Sequence, residues 1–116
     1  MKFKSMVQKD TETVTDFQER VYAAVKRIPQ GKVTTYKLLA KEIGCKSSQA
    51  VGQALKRNPF APMVPCHRVI FSNLSIGGFA GQVHGDAITR KKMLLKQEGV
   101  LFDNDKLCNI DQIHCY

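Results

Sequence analysis

Cys66 stands in the run Pro65-Cys66-His67-Arg68. A cysteine beside a histidine can be a buried structural thiol, a metal ligand or a nucleophile, and the dipeptide alone does not choose among them. A nucleophilic cysteine must lose its proton, which takes a nearby cation, a helix N-terminus or a base. His67 is the base at hand. Residues 66–71 read as extended, however, and neighbours on a strand point to opposite faces. Contact between Cys66 and His67 then needs an intervening water or a turn. Glu98 is the second candidate. It falls in the last turn of an expected helix, where a carboxylate opposes the macrodipole at a cost of about 0.3 kcal/mol or more. Its side of that helix overlaps the apolar one that carries Ala87 and Leu94. Both oddities are resolved if Glu98 reaches inward to orient His67, a Cys–His–Glu relay of the triad type. The alternative is a surface glutamate paired with Arg90 or Lys91.

The other cysteines, Cys45, Cys108 and Cys115, have no paired C-x-x-C spacing. Cys108, His114 and Cys115 make three potential ligands without a fourth. Neither a metal nor another cofactor is expected, and these thiols read as small packed hydrophobes.

The elements that must position these residues follow from pattern. Met1 to Thr15 is a polar lead-in, and residues 16–116 form one domain, a size that supports a single core. Thr15 and Gln18 make a capping box ahead of Phe17, Val21, Ala24, Val25 and Ile28 at helical spacing. Pro29-Gln30-Gly31 ends that helix, and Lys32 to Thr34 is a short extended piece. A second helix from about Thr35 carries Tyr36, Leu39, Ala40 and Ile43 and stops at Gly44. A third is capped by Ser47 or Ser48, with Ala50, Val51, Ala54 and Leu55 inward and Gln49, Gln53 and Lys56 on the opposite face. Two short helices around a tight glycine turn are helix-turn-helix architecture, although a plain αα-hairpin has the same spacing. Gly52 costs the third helix about 1 kcal/mol against alanine, so another backbone, from a helix or from DNA, is expected to come close there. A proline-punctuated loop leads to Cys66, and Gly77 to Gly81 is a flexible loop. A last helix spans about Asp86 to Glu98, and a hairpin turns around Asp103 to Lys106. The fold class is mainly α with short strands, a winged-helix-like helix-turn-helix domain.

Eighteen basic against ten acidic residues leave a net charge of +8. That excess makes a polyanion the expected partner. Apolar content of 43% and charged content of 24% are those of an ordinary globular domain. No apolar run reaches the roughly 18 residues of a membrane span, and the amino terminus has no hydrophobic signal segment. The expected location is intracellular: the cytoplasm of a prokaryote or the nucleus of a eukaryote.

Four motifs in order, "TTYKLLA", "AVGQALKRNP", "VPCHRVI" and "GGFAG" with its "LLKQEG" tail, resemble the active-site domain of O6-alkylguanine-DNA alkyltransferases, the methylated-DNA–protein-cysteine methyltransferases. The resemblance spans about Asp16 to Phe102. It implies a monomer, able to act cooperatively along DNA, that binds duplex DNA containing O6-alkylguanine and flips the base through the minor groove. Cys66 would take the alkyl group once, without regeneration. His67 would be a water-mediated base, Glu98 its orienter, and Asn58 would hold the turn beneath the cysteine. Tyr36 would donate a proton toward guanine N3. Thr35, Tyr36, Gln49, Ala50, Gly52, Gln53, Lys56, Arg57 and Arg68 would face DNA. Val64, Pro65, Phe79, Ala80 and Gly81 would line the base pocket, with the backbone of Val64 and Cys66 reading the base edge.

The chain departs from the family pattern in three places. Gln49 stands where an arginine finger is usual, Phe79-Ala80 replaces a tyrosine-serine pair, and about fifteen polar residues are expected in place of the family's common N-terminal domain. The resemblance also brings an alternative: alkyltransferase-like proteins bind O6-alkylguanine without transfer, but carry tryptophan or alanine where Cys66 stands. A helix-turn-helix regulator would explain the charge and leave Cys66 and Glu98 without purpose.

Overall fold

Thr15 opens the first helix. Its Oγ1 accepts from the Gln18 amide at 3.0 Å while Gln18 Oε1 accepts from the Thr15 amide at 3.1 Å, a complete capping box. Helix α1, Asp16–Lys26, buries Val21, Ala24 and Val25, with Ile28 just beyond its end. The computed structural model describes residues 14–61, 63–77 and 85–116. Strand β1, Thr34–Thr35, pairs in parallel with β2, Val69–Ile70, with Thr34 opposite Val69. This pairing ties the start of the helix-turn-helix to the segment after Cys66.

Helix α2, Tyr36–Glu42, is capped by Thr35, whose hydroxyl accepts from the Leu38 amide at 3.1 Å. Gly44, with φ of +72°, makes the turn, and Ser47 caps α3, Ser48–Lys56. Helices α1, α2 and α3 pack on one another around Val21, Val25, Leu39, Val51 and Leu55. The expected helix-turn-helix is present. Ala50, expected inward, is only half-buried, because Val51, Ala54 and Leu55 already fill the face turned to α1 and α2.

Helix α4, Asp86–Gln97, ends in Glu98 as its C-cap. Leu95, not the half-buried Leu94, is its central core residue. It joins Val33, Ile70, Ile76, Ile88 and Val100 in a second cluster. Strands β3, Phe102–Asp103, and β4, Lys106–Leu107, form an antiparallel hairpin. Asn104 and Asp105 turn it with φ of 49° and 64°, as a two-residue hairpin loop requires. The architecture is mainly α with short strands. Among the described residues no helix is long and apolar enough to cross a membrane. Most of the polar lead-in, residues 1–13, and the glycine loop with Phe79, Ala80 and Gly81 lie outside the described residues.

Candidate active site

Pro65 sets the geometry at Cys66. Its φ of −81° and ψ of 69° form an inverse γ-turn, with the Cys66 amide on the Val64 carbonyl at 2.8 Å. The Arg68 amide then reaches the Pro65 carbonyl at 3.0 Å, and the Val69 amide reaches the Cys66 carbonyl. Cys66–Arg68 is therefore one 3₁₀ turn, and only Val69–Ile70 is extended. This corrects the extended reading of residues 66–71. Strand alternation no longer forces Cys66 and His67 apart.

Asn58 holds the loop that leads there. Its Nδ2 donates to the Val64 carbonyl at 3.0 Å, and its Oδ1 accepts from the Phe60 amide at 2.8 Å. Val64 thus has two donors on its carbonyl, and its own amide is bonded to Phe60 O at 3.0 Å. The backbone of Val64, expected to read a base edge, is committed to the loop instead. Its side chain belongs to the core, and Pro65 is buried beside it.

His67 is buried, and its Nε2 lies 2.9 Å from Glu98 Oε2. A carboxylate only accepts, so Nε2 carries the proton and Nδ1 is left with the lone pair. Arg68 completes the group: Nε donates to Glu98 Oε1 and Nη2 to Oε2, each at 2.9 Å, while Nη1 donates to the Ile28 carbonyl at 2.9 Å. The Glu98 and Arg68 side chains are 12% and 16% exposed. Arg68, expected to face DNA, is turned inward because this fork satisfies its guanidinium within the protein. Glu98 tolerates the helix C-terminus for the same reason. Its partners are Arg68 and His67 rather than the Arg90 or Lys91 of the alternative.

The electrostatics suit a neutral imidazole. Burial pushes His67 below the usual imidazole value, and hydrogen bonding and charge from Glu98 oppose that only in part. Burial alone would raise Glu98, but the hydrogen bonds from Arg68 and His67 outweigh it and hold the carboxyl low. Tyr36 is pushed up to about 12, by burial first and then by Cys66, so it stays protonated. Cys66 itself is half-buried.

Tyr36 opens α2, with its ring tilted against Phe71 at 5.9 Å between centroids. Gly52 of α3 passes close by: a Cβ built there would meet Tyr36 Cε1 at 3.9 Å, an ordinary contact. Gln49, Gln53, Lys56 and Arg57 are exposed along α3, with Ala50 and Gly52 partly so. Thr35, expected to face DNA, is 5% exposed with its hydroxyl spent on capping α2. The structure thus gathers Cys66, His67, Glu98, Asn58 and the inward Arg68 about one turn, with the exposed face of α3 beyond Tyr36.

Lys91 was not among the expected site residues. It is 0% exposed, and its Nζ donates to the Val69 carbonyl at 2.7 Å, one residue past the turn. Its position seven before Glu98 places both on one helix face, which was the available signal. Burial pushes its ammonium down to about 7, and the charge of Cys66 acts the other way. Among the described residues no group of three His, Cys, Asp or Glu could hold a metal ion. Cys108 and Cys115 are exposed.

Residues 16–100 match the family model described as 6-O-methylguanine DNA methyltransferase, DNA binding domain. A methylated-DNA–protein-cysteine methyltransferase of Methanosarcina acetivorans is 48% identical over 86 residues, covering 73% of this chain and 52% of that protein. The chain spans about half the length of the curated relatives it matches. Among solved structures, Mycobacterium tuberculosis OGT in complex with DNA superposes with a TM-score of 0.64 at 42% identity, over 72% of this chain and 50% of that one. S. pombe Atl1, in complex with damaged DNA containing O6-carboxymethylguanine, superposes with a TM-score of 0.72 at 31% identity, over 87% and 96%. With the motifs in order along one helix-turn-helix and one cysteine turn, the chain belongs to the 6-O-methylguanine DNA methyltransferase family, through its DNA-binding domain.

Proposed function

We propose that this protein repairs DNA by moving an alkyl group from guanine O6 to Cys66, once per molecule. The observation that carries the reading is the half-buried Cys66 beside a buried, neutral His67 that Glu98 holds by Nε2. His67 Nδ1, through a water, would take the thiol proton. The thiolate would then attack the alkyl carbon, forming an S–C bond as the C–O bond breaks. Tyr36, kept protonated by burial, would supply the proton toward guanine N3 that makes the purine a better leaving group. Arg68 would fix the Glu98 carboxylate, which in turn fixes the imidazole tautomer. Asn58 would keep Cys66 at the pocket by tying down the preceding loop.

The DNA contact is assigned to α3. Gln49, Gln53, Lys56 and Arg57 would lie in the minor groove or along its phosphates, and Ala50 and Gly52 would let the helix approach closely. Pro65 would belong to the base pocket, to which the resemblance also assigns Phe79, Ala80 and Gly81, residues outside those described. The net charge of +8 suits a phosphate-rich partner.

A lesion sensor that binds without transfer is the second reading. It is favoured by the superposition on Atl1 over nearly the full length of both chains. Cys66 argues for transfer. Incubation with a duplex carrying O6-methylguanine, followed by peptide mass spectrometry, separates the two. One added methyl on the Cys66 peptide is expected. Tight binding with no mass gain would sink transfer and leave the sensor.

A further inference from the structure

Phe71 is a large apolar side chain left 41% exposed, and the chemistry above gives it no part. Scattered exposed apolar residues are common, but this one has both its backbone and its ring fixed. Strands β1 and β2 run in parallel with Thr35 opposite Ile70, so the next step of the register brings Tyr36 beside Phe71. Their rings meet with centroids 5.9 Å apart and planes tilted by 46°. The Phe71 amide donates to the Ser75 carbonyl at 3.0 Å, and its carbonyl accepts from the Leu74 amide at 2.9 Å. Ser75 is bridged in turn to Lys106 of the hairpin. Gly77 lies against the same ring: a Cβ there would stand 3.2 Å from Phe71 Cδ1 and 3.3 Å from its amide nitrogen, so a larger residue would push the ring aside. Ser72 and Asn73, the next residues of this exposed turn, are polar. An apolar ring at its first position is accounted for by what it touches.

Tyr36 needs such a neighbour. Its half-buried ring packs on the helical core and passes Gly52, which has no side chain to restrain it. Among the described residues its hydroxyl has no hydrogen-bond partner. With no polar anchor, packing alone sets where the O–H bond points. We propose that Phe71 is the positioning residue for Tyr36: its locked ring keeps the Tyr36 hydroxyl aimed into the base pocket, so that it governs the rate of transfer and not the affinity for DNA. The inference rests on the reading of Tyr36 as the proton donor toward guanine N3. A donor must be aligned with the atom it serves, and a misplacement of about 1 Å can cost about a hundredfold in rate.

The test is a double-mutant cycle on single-turnover transfer from a duplex carrying O6-methylguanine, with wild type, Phe71→Ala, Tyr36→Phe and the double variant. At saturating duplex Phe71→Ala should be about tenfold slower, with the half-saturating concentration moved by less than about twofold. Phe71→Tyr, which keeps the ring, should recover the wild-type rate. In the Tyr36→Phe background Phe71→Ala should add no further loss, because no hydroxyl is left to aim. An unchanged rate in Phe71→Ala, or an equal loss in both backgrounds, would overturn the proposal and leave Phe71 a general support of the turn. Phe71→Leu stands in if the alanine variant does not fold. Should the wild type transfer nothing, the reading of Cys66 fails on its own and NMR decides the positioning. A contact between the Tyr36 ring protons and the Gly52 Hα is expected in the wild type and lost in Phe71→Ala; a contact that survives in the variant refutes the inference.

Discussion

Replacing Glu98 by glutamine keeps the shape of the side chain and removes the charge on which the site is organised. Three contacts of 2.9 Å end on its two oxygens, two from Arg68 and one from His67. Hydrogen bonds to charged groups contribute about 1.5–3 kcal/mol each, but these three share one desolvation cost and cannot be added. Emptying one side of a buried ion pair costs about 3–5 kcal/mol. Glutamine retains one acceptor oxygen and sets an NH₂ against the guanidinium, so a loss of about 2–3 kcal/mol is expected. The loss also depends on pH. Glu98 has a folded pKa below its unfolded value, so its contribution is present above the unfolded value and lost as pH falls through the folded one. The stability gap between wild type and Glu98→Gln should therefore shrink in acid. In the variant His67 keeps its burial but loses the carboxylate that opposes it, which leaves a weaker base. Single-turnover methyl transfer should fall by about tenfold or more. Urea denaturation across pH measures the first effect, and quench-flow with a lesion duplex the second. A folded variant within about 0.5 kcal/mol of wild type, the usual range for surface changes, with transfer unimpaired, would refute the relay.

Two further changes probe the DNA face. A Cβ at position 52 meets only an ordinary contact with Tyr36, so Gly52→Ala should stabilise the free protein by about 0.5–1 kcal/mol. It should also weaken DNA binding about tenfold, as a loss of about 1.4 kcal/mol would; thermal melts and anisotropy titrations report the two, and unchanged affinity would remove the close approach. Gln49→Arg places a cation on the exposed side of α3 where the family carries one, and a severalfold faster transfer on duplex DNA is expected in a single-turnover assay. An equal or slower rate would show that Gln49 is not the limiting element.

Local signals in the sequence determined the helices and their limits. The Thr15–Gln18 capping box, the Ser47 cap, Gly44 in the turn and the spacing of Leu39, Val51 and Leu55 each act within a few residues, and each is realised in the fold. Cys66, His67 and Glu98 were also legible, because a carboxylate at a helix C-terminus and a cysteine beside a base are chemically odd wherever they fall. The tertiary structure decided what these residues touch. Pro65 could have led into a strand, and the γ-turn on Val64, clamped by Asn58, makes a 3₁₀ turn instead. The resemblance put Arg68 among the DNA-facing residues, yet a partner thirty positions away draws it inward. Thr35 has a polar side chain that two functions could use, and the cap claims it. Lys91 shares a helix face with Glu98 on any helical wheel, but nothing in the sequence says that β2 will cover it. Burial of a charge is a property of what packs over it, and the packing of α4 on the cysteine turn exists only in three dimensions.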